Sequence, residues 1–293
     1  TLATRRWRRS LFQKNSFQEL TQMISSLKKT IYDVIFDLQG NTKSAFLTQV
    51  AKASRKVGFG WASSPEWPNY FVTRERFDVD PHLPIQKRYL SVMQQFFKDT
   101  GPFEPKGVEL QLSTQEQEKL ASYRRNGEQS RIMVAFASKW ENKCLSIPTL
   151  IQFLKHVYEQ EKCFFYFVSG TVQEKKIADT LAHTFPQSIA LQGLSFPLWQ
   201  RLIGEMDLVI ASDSAALALC GTTPTPSFSF FGPTKATVYK PIGHQHRHFQ
   251  GECPYKLNFS ARCPQLRSCK TGACLKTANP SAIFKNYRAM VSH

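Results

Sequence analysis

The sequence contains no apolar run approaching the roughly 18 residues that a membrane-spanning helix needs. Its longest apolar pieces, such as 163–168, have the length of buried strands. No secretory signal pattern is present either, because the Arg5-Arg6-Trp7-Arg8-Arg9 cluster has no apolar core behind it. The expected location is therefore cytoplasmic. Acidic residues are scarce: 22 Asp and Glu stand against 38 Lys and Arg, a net charge of +16. Such a surplus calls for an anionic partner. The basic residues are spread along the chain apart from that cluster and the Lys87-Arg88 pair. Zinc-finger spacing, an RNA-recognition signature and a basic heptad region are all missing, so nucleic acid is not the expected partner. An anionic small molecule or lipid is. Internal repeats and low-complexity tracts are also lacking. What is present, 42% hydrophobic and 13% aromatic residues, excludes disordered and collagen-like classes.

Apolar residues Phe17, Leu20, Ile24 and Leu27 recur at helical spacing over 16–29, with Ser16 as cap. A strand at 34–36 runs into Asp37-Leu38-Gln39-Gly40, and a helix follows from Thr42. A second strand covers 56–60, residues 61–82 read as loop, and a helix spans 85–97. The stretch 99–129, with Gly101, Pro102, Pro105 and Gly107, marks a boundary that divides the chain into lobes 1–125 and 126–293. Strands at 132–136, 163–169, 189–191, 208–210 and 227–231 then alternate with helices of 8–13 residues. That alternation predicts a parallel, doubly wound sheet.

Ligands of such sheets sit outside the carboxyl ends of the strands. The loops to inspect are therefore 37–43, 137–143, 170–174, 212–218 and 232–234. Asp213 and Ser214 open a helix whose N–H groups suit a diphosphate, or they simply cap it. The loop 137–143 offers Ser138, Lys139 and Lys143, either to a phosphate or to solvent. Glu174, four residues after Gly170, suits ribose hydroxyls, or serves as a first-turn helix glutamate. Gly232-Pro233-Thr234 forms a rigid turn whose backbone could face a base or phosphate. Of seven cysteines, Cys144, Cys163 and Cys220 sit in apolar contexts. Cys253, Cys263, Cys269 and Cys274 form a cluster without a C-x2-C pair. It reads as reduced thiols, as a zinc site or as one or two disulfides.

Taken together, Ser212-Asp213-Ser214, Leu219, Pro226 and Phe230-Phe231-Gly232-Pro233-Thr234 resemble the D-[ST]-G-x-x-H-L, Pro, F-G-P-T hallmark of glycosyltransferase family nine. These are the lipopolysaccharide heptosyltransferases. Trp140-Glu141-Asn142-Lys143, Gly170 with Glu174, and Asp37-Leu38-Gln39-Gly40 with Lys43-Ser44-Ala45 match further family elements, and Arg6-Trp7-Arg8 is similar to the stretch before the last of them. The resemblance implies a GT-B fold of two Rossmann-like lobes with parallel doubly wound sheets. It implies inverting transfer without a metal or cofactor. The C-terminal lobe would hold a nucleotide sugar, usually ADP-heptose, through Ser138, Lys139, Lys143, Glu174, Asp213, Ser214, Ala215, Ala218, Gly232, Pro233 and Thr234. The N-terminal lobe would hold an anionic glycolipid, the lipid A–Kdo core, through Gln39, Gly40, Lys43 and Arg88. Such a protein would sit peripherally on the inner membrane face.

Two departures accompany the match. The family pattern opens with a strand and a Gly-Asp loop carrying the general base; this sequence begins beyond it, leaving the N-terminal lobe incomplete. The sequence offers no clear substitute for that base; Asp37, at a strand end facing the cleft, is the one candidate, and its expected role is structural. Ala215 and Ala218 stand where the family has Gly and His. The alternative is accordingly a catalytically impaired remnant that binds a sugar nucleotide or glycan.

Overall fold

The computed structural model describes residues 14–102, 107–125 and 127–291. The Arg5–Arg9 cluster and Pro105 lie outside them. The chain divides into two compact units, residues 1–102 and 103–293.

In the first unit, helix α1 (Lys14–Lys29) leads into strand β1 (Ile31–Phe36), α2 (Thr42–Val50), β2 (Lys52–Phe59), α3 (Trp67–Val72), β3 (Glu75–Phe77) and α4 (Ile85–Phe97). The strands pair in parallel in the order β1-β2-β3. Val57, Phe59, Val79 and Val92 form the core beneath Phe36, Phe77, Tyr89 and Phe96. The segment read as loop, 61–82, holds both α3 and β3. Pro68 occupies the first turn of α3, where its missing N–H costs nothing.

The second unit contains α5 (Thr114–Tyr123), β4 (Ser130–Ala135), a 3₁₀ turn (Glu141–Lys143), α6 (Ile147–Gln160), β5 (Cys163–Ser169), α7 (Val172–Thr184) and β6 (Ser188–Gln192). It continues with α8 (Phe196–Gly204), β7 (Leu208–Ser212), α9 (Ala215–Cys220), β8 (Ser227–Phe231), α10 (Ala236–Tyr239), β9 (His246–Gln250), α11 (Ala273–Lys276) and α12 (Pro280–Val291). All six strands run parallel in the order β6-β5-β4-β7-β8-β9. Helices cover both faces. Ile132, Val134, Phe165, Phe167, Phe228 and Phe230 meet α6, α7 and α12 on one side. Met133, Ala135, Tyr166, Val209 and Ala211 meet α5, α8 and α9 on the other. Burial on both faces explains why β4, β5 and β7 carry near-continuous apolar runs rather than alternating ones.

The lobe boundary moves from 125 to 102, because Leu120 of α5 packs into the second unit's core. A sixth strand, β9, lies beyond the five expected. Its polar sequence hides it, and its register against β8 reveals it.

His246 at the start of β9 is 2% exposed, with Nδ1 2.9 Å from the Ser227 hydroxyl. Burial, with Lys240 and His244 nearby, pushes its pKa down to about 4, and burial lowers His248 as well. The folded protein therefore resists protonating an imidazole that the unfolded chain protonates near pH 6.5. Stability is complete above that pH and falls as the pH drops towards 4. Thermal melts of His246→Asn should lose part of this acid sensitivity, by up to about 3 kcal/mol near pH 4. A melting profile as steep as that of the parent would contradict the assignment.

Candidate functional site

Strand order in the second sheet reverses between β4 and β7: β4 continues outward to β5 and β6, while β7 leads to β8 and β9. A doubly wound sheet opens a crevice at such a switch point, outside the carboxyl ends of the two strands. The residues reached there are Ala137–Lys143 after β4 and Asp213–Ala218 after β7.

These loops meet at Asp213. Its Oδ2 accepts from Lys143 Nζ at 2.6 Å and from the Thr234 hydroxyl at 2.7 Å. The Lys143 and Asp213 side chains are only 13% and 14% exposed. Ser138 completes the junction by donating to the Asp213 carbonyl at 3.1 Å. Three of the residues expected at a nucleotide, from the ends of β4 and β8, thus converge on Asp213: Lys143 and Thr234 at its carboxylate and Ser138 at its backbone carbonyl. Lys139 is exposed beside them.

Ser214 caps α9 through its backbone alone; its hydroxyl is buried without a partner. The helix is short, six residues, so its end-on field is weak. Ala215 and Ala218 both lie exposed, three residues apart on one face. Glu174 acts in a capping box. Its Oε2 accepts from the N–H groups of Gly170 (2.7 Å) and Thr171 (3.2 Å), while Thr171 caps α7 in return.

The Gly232-Pro233-Thr234 turn is buried, and its carbonyls are spent inside the protein. Gln250 Nε2 donates to Gly232 O and Thr234 O, and Cys263 N donates to Pro233 O. A Cβ on Gly232 would stand 2.7 Å from Leu275 Cγ and 2.8 Å from Cys274 Sγ. This glycine therefore serves close packing of the cysteine segment, and only Thr234 turns towards Asp213.

Cys253, Cys263, Cys269 and Cys274 line a cavity of about 20 Å³, room for one water. All are free thiols, and among the described residues no group of three His, Cys, Asp or Glu is arranged to hold a metal ion. The thiols differ. Hydrogen bonds from Gly272 and Thr271 lower Cys269, whereas burial and the neighbouring cysteines push Cys274 up to about 11. Asn142 ties this segment to the Lys143 loop by donating to Leu266 O (2.9 Å) and Cys269 O (3.2 Å). Glu141 adds an ion pair with Lys276. The matched loop 140–143 included Asn142 without giving it a role, because its partners lie more than a hundred residues away.

In the first unit Asp37 is 4% exposed and fully engaged. Oδ1 accepts from Gln39 N (3.1 Å) and Gly40 N (3.0 Å); Oδ2 accepts from Thr48 (3.0 Å) and Asn69 (2.5 Å). Four donors from the turn, α2 and α3 thus tie the carboxylate into the fold. Gly40 has φ +64°, and a Cβ there would meet Pro65 Cδ at 2.4 Å, so the turn demands glycine. Gln39 and Lys43 are exposed on either side. Arg88, in the first turn of α4, is 8% exposed; its guanidinium lies 5.8 Å from the Phe59 ring and its Nε has no partner.

No curated relative matches the chain. Solved structures do match. An Escherichia coli heptosyltransferase, WaaC with ADP, superposes with a TM-score of 0.72 at 17% identity, covering 99% of this chain and 82% of that one. A family 9 glycosyltransferase from Veillonella parvula gives 0.66 at 14% identity, over 95% of this chain and 78% of that one. The E. coli ADP-heptose lipopolysaccharide heptosyltransferase II gives 0.61 at 13% identity, over 92% and 78%. At such identities these matches establish the shared fold of two parallel α/β units. The model of glycosyltransferase family 9 (heptosyltransferase) matches residues 20–267. The chain belongs to that family.

Proposed function

We propose that this protein transfers a heptose from ADP-heptose to an anionic glycolipid, the inner core of lipopolysaccharide, with inversion and without a metal. The observation that carries the reading is the convergence of Ser138, Lys143, Asp213 and Thr234 at the switch point of the second sheet. Asp213 takes one hydrogen of the Lys143 ammonium and fixes where the other two point, towards a diphosphate in the crevice. Glu174 holds its turn with Oε2, leaving Oε1 to accept from ribose hydroxyls. Similarity to heptosyltransferases solved with ADP and with ADP-2-deoxy-2-fluoro heptose supports the choice of donor. In the first unit, Arg88, exposed Lys43 and exposed Gln39 suit an acceptor bearing carboxylates and phosphates. Such an acceptor places the protein at the cytoplasmic face of the inner membrane. No described helix is long and apolar enough to cross it.

One observation favours a second reading, a binding protein with impaired catalysis. The exposed face of α9 presents methyl groups, Ala215 and Ala218, and a methyl cannot donate to a leaving diphosphate.

Calorimetry with ADP tests the donor site. Lys143→Ala should weaken ADP binding about ten-fold or more, since a hydrogen bond to a charged group is worth roughly 1.5–3 kcal/mol. A circular-dichroism melt separates this from the cost of leaving Asp213 unpaired. Equal affinity in both proteins would remove Lys143 from the site. Ala218→His distinguishes the two readings. Under the transferase reading the imidazole restores a donor beside the diphosphate and tightens ADP by about ten-fold. Unchanged or weaker binding would mean that the pocket holds its ligand in another way.

A further inference from the structure

We propose that α3 and the segment before it form a membrane-docking surface that seats the first unit on an anionic phospholipid bilayer. This deepens the glycolipid reading and rests on it only for the choice of membrane; the surface is argued from its own residues. Trp61, Trp67 and Phe71 are 66%, 68% and 66% exposed, an unusual state for three large aromatics within eleven residues of chain. They are joined through Tyr70 into one continuous array. Trp61 and Tyr70 lie 5.3 Å apart, Tyr70 and Phe71 5.8 Å, and Trp67 and Phe71 5.8 Å, each pair edge to face. Contiguous exposed apolar surface of this kind marks an interaction site.

The array is held rigidly from below. Asn69, fully buried on the inner side of α3, donates to Asp37. Glu66 N donates to Gly40 O, and the Glu66 carboxylate accepts from both the N–H and the hydroxyl of Thr42. Polar anchors thus fix the inner face while the rings point outward.

Cations frame the rings. The Arg76 guanidinium lies 3.9 Å from the Tyr70 ring centroid while its Nε donates to Thr73 O. Arg74 and Lys43 are exposed nearby in sequence and packing. Glu66 spends its carboxylate on Thr42, and Asp78 spends one oxygen on Ala62 N and Ser63. Residues 1–102 hold 16 Lys and Arg against 8 Asp and Glu. Tryptophan and tyrosine favour the headgroup level of a bilayer, where an apolar ring body and a polar edge are both satisfied. Arginine beside them is drawn to anionic headgroups. This pairing selects a lipid surface over an uncharged apolar partner.

Vesicle sedimentation with the full chain tests the surface. It compares phosphatidylcholine vesicles with vesicles of phosphatidylcholine and phosphatidylglycerol in equal parts. The parent should partition onto the anionic vesicles and be released by salt. Trp67→Ser with Phe71→Ser, both at exposed positions, should reduce partitioning about ten-fold or more. Arg74→Gln should reduce it about five-fold. Brominated lipid should quench tryptophan emission in the parent and much less in Trp61→Phe with Trp67→Phe. Partitioning unchanged by the double serine variant would overturn the proposal. So would a monomer–dimer equilibrium, seen by ultracentrifugation without lipid, that the same variant abolishes, since a second copy would then cover the rings. ADP titration of the same protein keeps the two readings apart. ADP binding without vesicle binding defeats the surface alone. Vesicle binding without ADP binding defeats the transferase reading alone.

Discussion

The arrangement at the switch point depends on one carboxylate. Asp213 joins three loops that are distant in sequence, because Lys143 follows β4 and Thr234 follows β8. At 13% and 14% exposure the Lys143–Asp213 pair is largely withdrawn from water. A pair so placed contributes stability only when its remaining hydrogen-bonding groups are satisfied, and removing either partner strands the other. Thr234 supplies the second donor to Oδ2. The ammonium keeps two hydrogens to spend. The pair therefore positions a cation at low ordering cost for any anion that enters, which is what preorganisation means for affinity.

Much of the second unit was legible in the sequence because both faces of its sheet are buried. Cys163–Ser169 reads as an apolar run closed by a serine, Ser227–Phe231 as phenylalanines set between small serines, and their bounds coincide with β5 and β8. Helix α8 was equally plain: the Ser195 hydroxyl oxygen accepts from Leu198 N–H as its cap, and Pro197 stands in the first turn. What failed to show was structure with little apolar burial of its own. β9 is polar and defined by its pairing with β8. β3 has three residues, and α3 is six residues rich in aromatics that stay exposed. The linker-like stretch falls in the second unit for a related reason. Residues 107–125 look like a charged linker, yet Leu120, with Leu112 and Tyr123 beside it, packs them into the second unit, and so few apolar positions leave no periodic signal.

Site residues were legible by type more than by partner. Asp213, Lys143 and Thr234 stood out as the groups that follow strands, but their mutual contact is a tertiary fact. The meaning of Gly232 changed altogether. Its turn suggested close approach to a ligand, whereas the nearest neighbours of a Cβ there belong to Leu275 and Cys274. The cysteine segment is thereby part of the site's support. Through Asn142 it holds the Lys143 loop, and through Cys263 and Arg262 it pairs with the Pro233-Thr234 turn. A spacing argument about the cysteines as ligands or bridges overlooks this role, which lies in the backbone around them.

Among the described residues, four buried side-chain atoms lack a hydrogen-bond partner: Asn69 Oδ1, Gln86 Oε1, Arg88 Nε and Ser214 Oγ. Leaving such an atom unsatisfied costs about 1–3 kcal/mol. They lie at three places, two in the first unit and one in the second. Ser214 adjoins Asp213, Asn69 holds Asp37, and Gln86 and Arg88 share the first turn of α4. Elsewhere the fold satisfies its buried polar groups with care: His246 finds Ser227, Tyr287 finds Glu161, and Gln200 finds Val108 and Thr222. Two of the orphans, Arg88 and Ser214, donate and need an acceptor such as a phosphate or carboxylate oxygen. The other two accept and need a donor such as a sugar hydroxyl. The orphans are thus single atoms at separate places in the two units, each with one hydrogen-bonding position left for a water or a ligand atom.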